Sequence, residues 1–125
     1  MKRIIKSKNA PEAIGPYSQA IAIDNLIFTA GQIAIVPETG KLVEEGITEQ
    51  TEQVFKNLKA IIAAAGSSLS SVVKTTVYLT KPDHFAPMNE VYAKHFTDEP
   101  PARTTIFVSS LPKGGLVEIE AIAKL

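Results

Sequence analysis

The spacing of apolar and polar positions changes several times along the chain, and each change marks an element. Ser18–Ile23 and Leu26–Ala30 are β-rich runs separated by Asp24-Asn25, a pair that tolerates the positive φ of a tight turn, so they predict a hairpin. Gly31 ends the second run, and Pro37-Glu38-Thr39-Gly40 marks a turn within a loop or short irregular strand. From Ile47 to Ala65, Ile47, Val54, Leu58, Ile61, Ile62 and Ala65 recur at helical spacing. Glu49 and Glu52 come early and Lys56 and Lys59 late, as the helix dipole favours, and Gly66 supplies the stop. Ser71–Thr80 alternates strictly, with Val73, Thr75, Val77 and Leu79 on one face and Lys74, Thr76, Tyr78 and Thr80 on the other. A second helix runs from Asp83 or Ala86 to about Phe96, with Pro87 near its first turn and Phe85, Met88, Val91, Tyr92, His95 and Phe96 expected inside. Pro100-Pro101 forces an extended entry into a strand at Arg103–Val108. The turn at Leu111-Pro112-Lys113-Gly114-Gly115 then leads to a last strand, Leu116–Ala123.

With a short first strand at Lys2–Ile5, the order is ββ(β)αβαββ. It predicts an α+β domain with both helices on one face of a mixed sheet of about six strands. Parity in the last strand puts Val117, Ile119, Ala121 and Ala123 beneath the helices, and Leu116, Glu118, Glu120 and Ile122 on the other side. By the same rule Arg103, Thr105 and Phe107 share a side of their strand. A sheet face mixing Phe and Leu with Thr and a few charges is too apolar for bulk water, so it is expected to pack on another subunit.

Composition then removes whole classes of chemistry. The 125 residues hold no Cys and no Trp, with 13 Lys plus Arg balanced by 13 Asp plus Glu. Without cysteine there is no thiol nucleophile, thiolate metal site or disulfide. Charge balance argues against a dominant nucleic-acid footprint. At 45% hydrophobic and 21% charged, the chain reads as one globular domain over residues 1–125. The basic N-terminus lacks an apolar run long enough for a signal peptide, and no stretch approaches a membrane span, so a cytoplasmic location is expected. His84 and His95, eleven residues apart on one predicted helix, stand about 16 Å apart along its axis, too far to share an ion. No metal site is expected. Phosphate-cradling glycine motifs, HExxH and GxSxG are absent, and no catalytic triad is evident.

What remains is a set of polar residues at constrained places. Arg103 follows Pro100-Pro101-Ala102, where a fixed guanidinium fork suits bidentate capture of a small carboxylate, although such an arginine is also a common surface residue. Glu118 lies between Val117 and Ile119, where a partly buried carboxyl serves as a general base or positions a water. The sequence alone does not separate it from Glu120. Tyr17, in the rigid Gly15-Pro16 turn, could aim a phenol into a cleft or simply pack. Asn89 and Lys74 could each bond a ligand or a neighbouring subunit.

These residues fall inside five ordered segments. They are Ala10 to Ala20 (APEAIGPYSQA), Thr29 to Ile33 (TAGQI), Gln53 to Ala60 (QVFKNLKA), Val72 to Val77 (VVKTTV), and Pro101-Ala102-Arg103 through Leu111-Pro112 to Val117-Glu118-Ile119-Glu120-Ala121. From about Asn9 to the C-terminus the chain resembles the Rid/YjgF family of imine deaminases. The resemblance implies a chorismate-mutase-like α+β fold, a homotrimer with ligand clefts between subunits, and no cofactor. It also implies hydrolysis of 2-aminoacrylate, 2-iminobutanoate or 2-iminopropanoate, by-products of pyridoxal-phosphate-dependent dehydratases, to 2-oxo acids and ammonia. Carried over by position, Arg103 would hold the substrate carboxylate, Glu118 would position or activate water, and Tyr17 would line the cleft. Asn89 would add a polar contact and Gly31 the backbone lining. Thr105 would lie beside the ligand, where many members carry a cysteine and where a backbone contact would survive the change, and Ala30 stands where relatives often have serine, which would remove a hydroxyl contact. Two other readings remain: an endoribonuclease that inhibits translation, and a non-catalytic regulator that binds a small carboxylate.

Overall fold

The computed structural model describes all of residues 1–125. Its main sheet contains β1 (Arg3–Ile5), β2 (Ala20–Ile23), β3 (Leu26–Thr29), β6 (Val72–Leu79), β7 (Ala102–Phe107) and β8 (Val117–Lys124). Their order is β1-β2-β3-β8-β6-β7. Only β6 and β7 run parallel, and the helix α2 (Phe85–His95) makes their crossover. The expected β2–β3 hairpin closes from Ile23 to Leu26, with Asp24 at φ 53°. Two short strands, β4 (Ile35–Val36) and β5 (Lys41–Leu42), pair around the Pro37–Gly40 turn as a separate ribbon.

Helix α1 (Ile47–Ala64) carries the predicted apolar stripe, and Val54, Phe55, Leu58, Ile61 and Ile62 are fully buried. Gly66 ends it at φ 93°, a backbone state that costs a glycine nothing. Both helices lie on one face of the sheet. Small residues at Ala20, Ala22, Ala121 and Ala123 let the large side chains of α1 approach the strands closely. Val77, Leu79, Val117 and Ile119 complete this buried layer.

Polar residues on the helix face fasten loops to the core. Asn57, wholly buried, donates from Nδ2 to the carbonyls of Ile33 (3.2 Å) and Ile35 (2.9 Å), and its Oδ1 accepts from Gln53 Nε2. Gln50 donates to the Val43 carbonyl and accepts the Leu116 N–H, tying the approach to β8 onto α1. Gln19 likewise holds the N-terminal segment through the carbonyls of Ser7 and Pro11. Asn57→Leu keeps the side-chain volume but leaves the buried Ile35 carbonyl without this donor and the Ile33 carbonyl with only the Ile35 N–H, so it should cost about 2 kcal/mol. Urea unfolding monitored by circular dichroism checks this, and an unchanged midpoint would refute it.

Three expectations need correction. Val73 does not share the Thr75–Val77 face: a bulge between Val72 and Lys74 turns it out, and it is half exposed while Val72 takes the buried position. Phe85 is exposed rather than buried, because it opens α2 beyond the edge of the core. Leu116 precedes β8 and packs against the core instead of joining the Glu118 face. No helix is long and apolar enough to cross a membrane.

Candidate active site

Arg103 sits at the second position of β7, in register with Thr75 of β6. Thr75 is buried beneath α2, so Arg103 points to the helix side of the sheet. Its Nη1 donates to Asn89 Oδ1 at 2.8 Å. Its guanidinium carbon lies 4.7 Å from the Tyr92 ring centre and 5.7 Å from that of Phe85. The arginine makes no ion pair, its charge being held by a neutral amide and aromatic faces. A guanidinium so placed keeps donors free for an incoming anion. Thr105 follows two residues on, half-buried on the same side.

Glu118 occupies the opposite face. It pairs with Tyr78, and Glu120 pairs with Thr76, on the side of the sheet that the helices leave open. The β3–β8 ladder runs to Phe28–Ile122, after which Thr29 Oγ1 accepts the Ala121 N–H. Gln32 then rejoins β8 by exchanging backbone hydrogen bonds with Ile119. Gly31 lies between these ties, directly against the Glu118 side chain. A methyl group on Gly31 would overlap Glu118 Oε2 and stand 2.8 Å from its Cδ. The absence of a side chain at Gly31 thus makes the seat of the carboxyl. Burial, and secondarily the Glu120 charge, hold the Glu118 pKa above the ordinary carboxyl value. Glu118 is therefore distinguished from Glu120 by its seat against Gly31.

The structure brings the expected residues together in two groups, Arg103 with Asn89 and Thr105, and Glu118 with Gly31. The sheet separates the groups within one chain. Tyr17 belongs to the loop before β2, half exposed, with its hydroxyl accepting the Ile14 N–H at 3.3 Å. Lys74 donates to Thr104 Oγ1 across the open face. His95 stacks on Phe55 and contacts Glu52 Oε1 at 2.8 Å, linking the two helices. Residue typing missed the aromatic bed under Arg103. Phe85, Asn89 and Tyr92 follow at intervals of four and three, which places them on one helical face.

The open face carries an apolar row. Ile4 pairs with Ile21, Ile21 with Phe28, and Phe28 with Ile122, so the row crosses β1, β2, β3 and β8. Ile4 and Phe28 are exposed, as is Ile106 on the edge strand β7.

The fold is thus a small α+β domain that divides an anchored arginine and a poised carboxyl between its two sheet faces. The family model described as Endoribonuclease L-PSP matches residues 7–125. A RutC family protein of Pyrococcus horikoshii is 56% identical over 98% of this chain and 98% of its own. The 2-iminobutanoate/2-iminopropanoate deaminase of Homo sapiens is 45% identical, covering 98% of this chain and 90% of the relative. The crystal structure of E. coli TdcF with bound serine superposes with a TM-score of 0.94 at 40% identity, covering 98% of both chains. The chain belongs to the Rid/YjgF/RutC family.

Proposed function

We propose that this protein is a hydrolytic deaminase of small 2-imino acids and their enamine tautomers, among them 2-aminoacrylate, 2-iminobutanoate and 2-iminopropanoate. The observation that carries the reading is the pair of unlike groups, a guanidinium free to take a carboxylate and a carboxyl with a raised pKa seated on a glycine. The name of the human relative and the serine bound by the E. coli structure support it.

Because the sheet separates Arg103 from Glu118, one small substrate reaches both only where two chains meet. This and the apolar row on the open face support a homotrimer with its clefts between subunits. In such a cleft Arg103 holds the substrate carboxylate and Asn89 keeps the guanidinium aimed. Glu118, with Tyr17, directs a water onto the imine carbon. The new C–O bond gives a carbinolamine, a proton passes to nitrogen, and the C–N bond breaks to release ammonia and the 2-oxo acid. The carbon is electrophilic at the outset, so positioning and one proton shuttle suffice without a cofactor.

The test is ammonia release from 2-iminobutanoate generated enzymatically in the assay, with RNA incubated in parallel. Accelerated release with intact RNA supports the deaminase. RNA cleavage without acceleration favours the nuclease, and binding of 2-oxobutanoate without turnover favours a regulator. Sedimentation tests the trimer, and a monomer at working concentration would exclude the shared cleft. Gly31→Ala supplies a finer check. The added methyl meets the mobile end of a side chain, so the fold survives while the Glu118 carboxyl shifts. Activity should fall about tenfold to 100-fold, since small misplacements of a reacting group carry losses of that order. Unchanged kcat/KM in this variant would sever Glu118 from the reaction.

A further inference from the structure

Of the three α2 residues that meet Arg103, only Tyr92 is buried, and only it is tied back to the strand that pairs with β7. Its hydroxyl lies 2.7 Å from Thr75 Oγ1, and Thr75 is 1% exposed. Thr75 is also the β6 residue in register with Arg103. The contacts close a ring, from the Arg103 backbone across the ladder to Thr75, through the paired hydroxyls to Tyr92, and from the Tyr92 ring back to the guanidinium at 4.7 Å.

Packing alone does not explain these residue types. Phenylalanine at position 92 and valine at 75 would fill nearly the same space without burying two hydroxyls. Each hydroxyl would be costly there if unpaired, and each one's hydrogen bond is to the other. The pair fixes the rotation of the Tyr92 ring against β6. The ring face in turn offers the guanidinium one favoured plane, since a cation is held over the face and not the edge. Asn89 takes one N–H from the side. Arginine has several soft torsions, and an arginine already held over a ring and by an amide loses less freedom when it captures an anion. The phenol is itself kept neutral, burial raising its pKa against the opposing effects of Thr75 and Arg103.

We infer that Tyr92, locked by Thr75, is a positioning residue that sets the plane of the Arg103 fork for carboxylate capture. The inference rests on the reading of Arg103 as the carboxylate subsite. The experiment compares Tyr92→Leu, Tyr92→Phe and Thr75→Val in the full-length protein. It measures the Kd of 2-oxobutanoate and of its methyl ester, KM and kcat for 2-iminobutanoate, and the Arg103 Nε chemical shift in the ligand-free state.

Tyr92→Leu should weaken 2-oxobutanoate binding and raise KM by about tenfold, the scale of a desolvated cation–aromatic contact. Its kcat and its ester affinity should hold. The Arg103 Nε resonance should move as the ring current is lost. Tyr92→Phe restores the ring and should bring Kd back to within about threefold of the parent, because only the ring lock is then missing. Thr75→Val should match it, and the double variant should be no worse than either single one.

Acid and ester affinities falling together, or an unmoved Arg103 resonance in Tyr92→Leu, would reduce Tyr92 to a packing residue and overturn the inference. If Tyr92→Leu does not fold, Tyr92→Phe and Thr75→Val decide it, and additive losses in their double variant would overturn it. Arg103→Ala separates the two levels. Undiminished 2-oxobutanoate binding there removes the carboxylate subsite itself, whereas lost binding there with an unaffected Tyr92→Leu removes only the role of Tyr92.

Discussion

Arg103→Ala will lower kcat/KM for 2-iminobutanoate by on the order of 10³ while the protein remains folded and sediments as the parent does. The expected loss is that of a bidentate, charge-assisted pair, two hydrogen bonds to a charged group at about 1.5–3 kcal/mol each, with 1.4 kcal/mol for every tenfold. The structure limits the damage elsewhere. Arg103 is half-buried at the start of an edge strand and makes no salt bridge, so its removal orphans no charge. Asn89 Oδ1 loses its donor but is itself half-buried, where water can replace the guanidinium. Thermal stability should therefore fall only modestly, by about 1 kcal/mol for the lost stacking on Tyr92 and Phe85. Arg103→Lys keeps the charge but not the planar fork and should fall between the two. Ammonia release at saturating and limiting substrate, with circular dichroism and sedimentation on the same samples, checks all three statements. Full activity in the alanine variant would remove Arg103 from the site.

The periods along the chain were enough for the layers of this fold because each element has one buried face. The three-and-four spacing in α1, the alternation in β8 and the Asp24-Asn25 turn all reflect where the core lies. Strand alternation also hides its own exceptions. The bulge at Val73 leaves no mark in a run of alternating residues, since Val73 and Val72 are equally apolar and only pairing with β8 decides which goes inside. The candidate site shows the same limit more sharply. Parity groups residues within a strand, but relating Arg103 of β7 to Glu118 of β8 needs the register of both against β6. That register puts them on opposite faces. Tyr92 and Asn57 were missed for a different reason. A tyrosine on a buried helix face reads as filler, and only three dimensions show Arg103 above its ring. Asn57 did leave a signal, a strongly polar residue within the apolar stripe of α1, which the burden of burying an amide makes informative.

Glu118→Gln will lower activity by on the order of 10³, the scale of removing a general base, and will raise the stability of the fold at neutral pH. The two effects have one cause. The Glu118 pKa is raised in the folded protein by burial and by Glu120, so the native state favours the protonated carboxyl more than the unfolded chain does. Stability from this group is present in full below the unfolded carboxyl pKa and is lost as pH rises through the folded value. Above the folded pKa the native protein carries an ionised carboxylate in a partly dry seat against Gly31, beside a second carboxylate. Glutamine has nearly the shape of the protonated acid and removes that burden at every pH. Melting temperatures of parent and variant should coincide at acid pH, and the variant should pull ahead as pH increases across the folded pKa. The parent's kcat/KM should rise over the same interval, because the ionised form accepts the proton from water. Glu120→Gln separates the charge from the base: it should shift that pH profile downward, toward an ordinary carboxyl, while retaining most of the activity. A Glu118→Gln variant that keeps its activity, or melts below the parent at neutral pH, would show that the carboxyl belongs to the scaffold and not to the reaction.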